Sequence, residues 1–592
     1  MRPPWRVPGE VMTTTQKGLR ARPAAIAWAG LFLVVGGCAT RPANGPAQYE
    51  RVGARYMVAA DHPLASEIGA DILRRGGNAV DAAVATSLAL AVTRPYSTGL
   101  GGGGFMMIKW RGAQPIVLDY RETAPQACTA DSYGDDPQVR PARSTRHGHW
   151  SVGVPGQMRG LQAALEKYGS LPLSELAEPA IRLAEKGFAV DANTHHAMQS
   201  LTNRLARIPD GWQRFQALTA IYLKGRRPYA IGETLTQPDL ALTLRRLAER
   251  GPQDFYAGNL AHRLDTDSSA HRGPIGLRDL GAYAVQTREP LSGRIGPYRV
   301  VSMPPPSSGG ACLLQVLGIL DAMRAATLAP GDYYHVLAEA LKFAFAQRAT
   351  RLGDADGRPQ IARAAARMIS PEEVQRLQSR IAQHKTAAEP TAYRGDAPPA
   401  NGGTTHFCVV DSEGNAVAAT ETINWYFGSL VVVPGTGIVL NNEMADFVAP
   451  QTVTNAYGMA IGDQNRLAPG RRPLSSMSPT MVLNADDVVC VAGASGGTRI
   501  ISATLQVLFD ILLRDQCAAD AVARPRLHQQ WIPNALFVEK EFPAAVRDDL
   551  LRRGHVVREL KGHAGVCQVI YVHNNRIEGV SDPRKGGRPA GR

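Results

Sequence analysis

A chain of 592 residues, 44% hydrophobic and 20% charged, can bury a large core and falls outside the disordered class. Its net charge of +13 comes from arginines spread along the chain, with no basic run interleaved with aromatics, so nucleic-acid binding is not indicated. The cysteines Cys38, Cys128, Cys312, Cys408, Cys490, Cys517 and Cys567 form no CxxC pair, and HExxH is absent, so no metal site is indicated; most sit in apolar runs and read as buried free thiols.

The first element is an export signal. Lys17, Arg20 and Arg22 precede an apolar run over residues 24–37, which is short for a bilayer span. The run ends in Val35-Gly36-Gly37-Cys38, which resembles a bacterial lipobox, where the signal is removed and the cysteine thiol lipidated. Residues 1–37 are therefore expected to be a lipoprotein-type signal peptide, with Met12 an alternative start, and residues 38–56 a polar tether. Ala39 lacks the aspartate typical of inner-membrane retention, which points to a periplasmic protein tied to the outer membrane by its lipid alone.

Pro63 fits the first position of a helix ending at Gly76-Gly77, and Asn78 caps a second helix carrying Val80, Val84, Leu88 and Ala91. Gly99 to Gly104 formally match GxGxxG, but the order is helix, glycines, strand, the reverse of a dinucleotide site. The glycines are read as close backbone packing, and no cofactor is expected. Residues 156–190 and 237–265 read as helical, a strand-like stretch ends at Val301, and Met303 to Gly310 form a stiff loop ahead of helices over 311–326 and 333–350. Residues 380–403 are the clearest linker.

Beyond the linker the texture becomes β-rich: strands over 405–422 with a turn at 412–415, another strand to Leu440, a long loop over 448–470, and a strand at 488–492 leading through Gly493-Ala494-Ser495-Gly496-Gly497 to a helix over 498–514. Strands and helices come in blocks, which favours a layered α+β fold over a barrel of βα units.

Two residues are candidate nucleophiles. Ser495 lies in a GxSxG between strand and helix, with His555, His563 and His573 downstream, as in a Ser-His-Asp esterase. Thr404 follows Asn401-Gly402-Gly403 and opens a strand. An internal threonine hydroxyl is a weak nucleophile, but a freed N-terminal threonine carries its own base, an α-amine of pKa about 8. Gly403 would allow the strained geometry that self-cleavage needs.

Around these residues the chain resembles the γ-glutamyltransferase (γ-glutamyltranspeptidase) family over residues 57–583. The matching segments, in order, are Arg75 to Ala83, Gly99 to Phe105, Tyr120 to Pro125, Val154-Pro155-Gly156, Tyr283, Met303 to Gly310, His335 to Asp356, Gly402 to Phe407, Asn441 to Phe447, Arg472 to Thr480, Gly493 to Gly497, Arg524-Pro525-Arg526 and Ser581 to Arg584. The resemblance implies an Ntn-hydrolase fold, a four-layer αββα sandwich. It implies a precursor that cuts itself between Gly403 and Thr404 into a large subunit, 57–403, and a small catalytic subunit, 404–592, that stay together as a heterodimer. It implies hydrolysis or transfer of the γ-glutamyl group of glutathione and related compounds, to water or to an amino acid or peptide.

By the same resemblance Thr404 is the nucleophile and Thr422 orients it. Gly496 and Gly497 supply the oxyanion hole through their N–H groups. Arg121 holds the substrate α-carboxylate, with Ser475 and Ser476 adding donors. Asn424, Glu443 and Asp446 hold the α-ammonium, and Tyr457 sits on a lid loop. Three departures stand out: Cys408 where serine is common, expected to pack as a small apolar residue; Glu421, expected to put negative charge near the nucleophile; and Arg94 ahead of Pro95 in place of glutamate. Two alternatives remain: an Ntn acylase on a glutaryl or poly-γ-glutamyl amide, and the Ser495 esterase.

Overall fold

Alternation of side chains along central strands buried on both faces organises the molecule. The computed structural model describes residues 47–133, 143–382, 385–386, 403–447 and 462–592. The signal segment, Cys38 and residues 39–46 of the tether, most of the 380–403 linker and Tyr457 lie outside these residues; the rest of the expected tether is instead part of the fold, since Glu50–Gly53 form a strand paired with residues 577–580.

The strands that build the two large sheets are β1 (Glu50–Gly53), β2 (Met57–Ala60), β3 (Gly103–Lys109), β4 (Ile116–Tyr120), β5 (Gln286–Arg288), β6 (Leu291–Ile295), β7 (Tyr298–Ser302), β8 (Gly403–Val410), β9 (Ala416–Asn424), β10 (Thr480–Asn484), β11 (Asp487–Ser495), β12 (Val566–His573), β13 (Arg576–Ser581) and β14 (Ala590–Gly591). One sheet has the order β1-β13-β12-β11-β10-β7-β6, the other β14-β2-β8-β9-β3-β4-β5, and all their pairings are antiparallel. The principal helices are α1 (Pro63–Arg74), α2 (Ala79–Thr93), α3 (Gln157–Tyr168), α4 (Leu173–Lys186), α5 (Pro238–Arg250), α6 (Gly309–Ala322), α7 (Pro330–Arg351) and α8 (Arg499–Arg514).

The faces of β8 and β9 show the layering. Cys408, Val410, Ala416 and Ala418 pack with the other sheet and with α6, α7 and α8. Their neighbours Phe407, Val409, Val417 and Ala419 pack with α1 to α5. The sheets thus lie face to face with helices outside each, the expected four-layer αββα arrangement. Cys408 sits between the sheets with its thiol donating to the Val491 and Gln568 carbonyls, so it is small and buried but hydrogen-bonded. All six described cysteines are free, and five of them are buried.

Local signals placed the first helices well. The His62 ring accepts from the Leu64 N–H with Pro63 at the start of α1, and Asn78 and Asp81 form a reciprocal capping box on α2. Other expectations are corrected. The helical stretch 156–190 breaks between α3 and α4 at residues 169–172, which end in Pro172, and 237–265 divides into α5 and two further helices, Asp254–Ala257 and Asn259–Ala270. The expected strand to Leu440 is a series of turns: Phe427, Gly428, Leu430, Gly435 and Gly437 have positive φ, and only the isolated bridges Gly101 to Leu440 and Val432 to Val439 form.

The C-terminal motifs meet in the core. Arg526 pairs with Asp582 at 2.8 Å and donates to the Gly565 carbonyl, while Asp582 accepts the Cys567 N–H and pairs with Arg584. Burial alone would raise the Asp582 carboxyl, but Arg526 and Arg584 outweigh it and hold the pKa at about 2. Its contribution to stability is therefore present above the unfolded value of about 4 and is lost as pH falls toward 2. Arg526→Ala is expected to cost about 3–5 kcal/mol, seen as a lower urea midpoint at pH 7, with the gap to wild type narrowing as pH drops below about 4.

Candidate functional site

Thr404 is the second residue of β8, and the pairing with β9 slips there: Gly403 lies opposite Asn424, but Thr404 lies opposite Thr422. The slip brings three oxygens together. The Thr422 hydroxyl donates to the Gly403 carbonyl at 2.6 Å, lies 3.1 Å from the Thr404 hydroxyl, and accepts the Asn424 N–H at 2.8 Å. Since its proton is directed at the Gly403 oxygen, the Thr404 hydroxyl donates to it. The peptide bond after Gly403 thus has a polarised carbonyl beside a positioned hydroxyl.

Gly403 is required by space. A Cβ there would lie 2.7 Å from the Trp425 backbone and 2.9 Å from the Tyr96 carbonyl. Its φ is not in the left-handed region, so the strained backbone expected there is not seen; the irregularity at this point is the register slip. Gly102 has a similar reason: a Cβ would meet the Thr422 carbonyl at 2.1 Å, which is the close packing read from the glycine run.

Thr404, Thr422, Asn424, Arg121, Glu443, Asp446, Ser475, Ser476 and Gly497 line one small cleft. Arg121 follows β4, is buried, and contacts Glu443 and Asp446 at 2.8 Å each. Asp119 accepts the Arg121 N–H, and its carboxylate pairs with Arg288 and Arg472. Burial opposes the Arg121 charge, but Glu443, Glu122 and Asp446 outweigh it and raise its pKa. Burial raises the Glu443 and Asp446 carboxyls with Arg121 opposing, and it pushes Glu122, 3.7 Å behind the guanidinium, up to about 8.

The motif residues hold this cleft in shape. The Asn441 side chain bonds the Gly101 and Gly153 backbones and the Glu443 N–H. Tyr283 donates to the Arg121 carbonyl. The Met303 to Gly310 loop clasps Ser475: Ser475 N–H donates to the Pro306 carbonyl, and Ser308 donates to the Ser475 carbonyl while accepting from Arg348. At the end of β11, Gly496 and Gly497 turn the chain at φ 128° and 62° into α8; Gly497 faces the cleft and Gly496 lies beside it.

Ser495 is not set up as a nucleophile. It is buried, and its hydroxyl lies 3.4 Å from the Lys585 ammonium. Two of the three downstream histidines are engaged elsewhere: His555 bonds His335 and His573 stacks on Tyr571.

Glu421 is a second correction. It lies opposite Thr405, on the face of β9 away from Thr404, where Ser87 and Tyr120 donate to it. A period of two residues makes adjacent side chains point to opposite layers, so its carboxyl is turned away from Thr404. Burial raises it to about 7.

Lys585 and Asp61 were missed. The Lys585 ammonium donates to the Thr404 carbonyl and to Asp61 Oδ2, both at 2.7 Å; Thr405 and Gln568 also donate to Asp61. The available signal was position, since Lys585 directly follows the Ser581 to Arg584 motif. Arg94, the third departure, pairs with Asp191 and donates to the Asp61 and Lys585 carbonyls, bracing the same corner.

The Glu421 environment gives an expected outcome. A carboxyl raised in the folded state favours folding below its unfolded pKa of about 4.3, and that stability is lost as pH rises through about 7. Glu421→Gln should therefore melt higher than wild type at pH 8 and show little difference at pH 4, read by thermal scans at both values.

Comparison with known proteins places this geometry. Residues 65–592 match the family model described as Gamma-glutamyltranspeptidase. The glutathione hydrolase proenzyme of Escherichia coli strain K12 is 38% identical over 536 residues, covering 89% of this chain and 90% of that protein. The Acylase ACY 1 proenzyme of Pseudomonas sp. strain SE83 is 35% identical, covering 93% and 95%. The crystal structure of cephalosporin acylase from Bacillus halodurans superposes with a TM-score of 0.82 at 26% identity, covering 94% of this chain and 99% of that one.

Proposed function

We propose, from the premise that this chain belongs to the gamma-glutamyltranspeptidase family, that it is an autoprocessed glutathione hydrolase with Thr404 as its nucleophile. The observation that carries the residue assignment is the Thr422 hydroxyl, shared between the Gly403 carbonyl and the Thr404 hydroxyl.

In the precursor, Thr404 Oγ attacks the Gly403 carbonyl while Thr422 donates to its oxygen. The C–N bond breaks, Gly403 passes to Thr404 Oγ as an ester, and the nitrogen takes a proton to become the Thr404 α-amine. Water hydrolyses the ester, leaving a Gly403 carboxylate on the large subunit and a free Thr404 on the small one. In turnover the α-amine accepts the hydroxyl proton as Oγ attacks the γ-carbonyl, then passes it to the departing amine. The N–H groups of Gly496 and Gly497 receive the developing oxyanion. A second acyl transfer, to water or to an amino acid or peptide, frees the enzyme.

Charge explains the donor. Arg121 contacts Glu443 and Asp446 directly, so the cleft offers a guanidinium and two carboxyl groups side by side, which suits a donor carrying both an α-carboxylate and an α-ammonium. The α-ammonium binds Asn424, Glu443 and Asp446; the α-carboxylate takes Arg121 with Ser475 and Ser476. The acylase reading has its own support in the similarity to acylase proenzymes and to the cephalosporin acylase structure. The buried Arg121–Glu443–Asp446 group favours an amino-acid-like acyl donor, since a glutaryl chain has no ammonium to offer it.

Export and lipidation at Cys38, to the outer membrane facing the periplasm, rest on residues 17–39. Among the described residues no helix is long and apolar enough to cross a membrane. Metabolic labelling with a fatty-acid probe should mark wild type and not Cys38→Ser.

Purified wild-type protein should give two bands, the smaller beginning at Thr404 by N-terminal sequencing. Thr404→Ala should remain one band and lose turnover of a γ-glutamyl anilide; an active, uncut Thr404→Ala protein would sink the assignment. Arg121→Met should process yet lose about 100-fold or more in kcat/KM on that substrate, from a lost charge-assisted contact of about 3 kcal/mol. A gain on glutaryl amides instead would favour the acylase reading.

A further inference from the structure

The mechanism above needs the Thr404 α-amine to be unprotonated, yet an ordinary α-amine has a pKa of about 7.7–8 and is mostly ammonium at neutral pH. The corner behind Thr404 holds a group suited to correct this. The Lys585 ammonium is buried and 2.7 Å from the Thr404 carbonyl oxygen. Three covalent bonds separate that oxygen from the nitrogen of the same residue, which places the ammonium within roughly 6 Å of the nitrogen that cleavage frees.

We propose that Lys585, anchored by Asp61, is a positioning residue of the nucleophile: it fixes the Thr404 carbonyl and, once the chain is cut, disfavours protonation of the Thr404 α-amine so that the amine is the working base at neutral pH. This rests on the assignment of Thr404 as nucleophile.

The physical cause is like-charge repulsion, which favours the neutral form of an amine beside a fixed cation. The lysine touches Thr404 directly. Asp61 reaches the strand one residue later, at the Thr405 hydroxyl on the opposite face. The ammonium thus bridges Asp61 and the Thr404 carbonyl, and the 2.7 Å contact to Asp61 favours its charged form. Burial lowers the Lys585 pKa, with Asp61 opposing.

The other charged groups around Thr404 do not replace it. Arg94 and Asp191 pair with each other behind Lys585. Arg121, Glu443 and Asp446 stand across the cleft and are taken up by the substrate, with Glu122 behind them. Glu421 faces the other layer, and burial holds His406, two residues along β8, neutral with a pKa of about 3. Arg499 begins α8 and donates to the Gly496 and His563 carbonyls. The buried Tyr426 phenol beyond Asn424 has its pKa pushed up to about 12 by burial and stays neutral.

The test is the acid limb of kcat/KM against pH, which reports the free enzyme's base. It uses the processed full-length enzyme and a γ-glutamyl anilide. In wild type the limb should lie clearly below 7.7. In Lys585→Met it should move up by about one unit or more, so that the deficit is about tenfold at pH 6.5 and shrinks above pH 9; Lys585→Arg should restore the wild-type limb. Should Lys585→Met stop at the uncut precursor, Lys585→Gln is read in its place. A wild-type limb at the ordinary α-amine value, or a neutral variant with a pH-independent loss, overturns the proposal. The prior reading fails separately: there, wild type is never cut at Thr404, or Thr404→Ala keeps its activity.

Discussion

The hydrogen bond from Thr422 to the Gly403 carbonyl is the contact on which the rest of the site depends. It exists because β8 and β9 lose register at that point, and the slip is possible because Gly403 has no Cβ to meet the Trp425 backbone. Flanking elements hold the slip in place. The Thr422 carbonyl presses on Gly102, and Gly101 is bonded to Asn441, which also binds the Glu443 N–H. The glycine run, the Asn441 to Phe447 segment and the Gly403 to Phe407 segment are far apart in sequence, but they serve one piece of geometry. Buried polar groups of this kind are costly when unpaired, so a change in one member is felt by the others.

The same alternation that buries both faces of β8 sorts its chemistry. Thr404 and Thr422 share one face, Thr405 and Glu421 the other. The first pair meets the cleft; the second pair binds Asp61 and Ser87. A carboxylate next to Thr422 in sequence is thereby kept in a different layer, and its raised pKa is a cost to the fold rather than a tuning of the nucleophile. Within the cleft the balance is reversed. One guanidinium contacts two carboxyl groups there; burial raises both acids, while their closeness sustains the Arg121 charge.

Much of this was legible in the sequence, for identifiable reasons. The caps of α1 and α2 are local chemistry, and His62, Pro63 and Asn78 announce them. Most residues lining the cleft came from matched motifs, with Thr422 and Asn424 carried over from the same family resemblance, and the structure gathers Thr404, Thr422, Arg121, Asn424, Glu443, Asp446, Ser475, Ser476 and Gly497 into one space. What periodicity misread was set by tertiary context. The apolar run ending at Leu440 looks extended, yet turns at Phe427 and Leu430 prevent a strand. Ser495 looks like a nucleophile because strand, turn and helix are all present, but no local pattern tells that its neighbour would be Lys585, 90 residues away. Lys585 itself is a lone lysine near the end of the chain, and its role depends on three contacts that only the fold brings together.

Strand order also bears on when a cut at residue 403 can occur. A break there would leave β8 to β14 on one fragment and β1 to β7 on the other. In one sheet β2 lies between β14 and β8, and β9 pairs with β3; in the other, β1 pairs with β13 and β7 with β10. Both sheets are therefore built from both fragments. The slip at Gly403, the Thr422 contact and the Lys585 contact exist only after β9, β3 and the C-terminal segment have been placed. Before folding, Gly403–Thr404 is an ordinary peptide bond with no polarised carbonyl and no positioned hydroxyl. The proposed scission would thus be conditional on the completed sandwich, and it would leave the fragments joined by the same ladders.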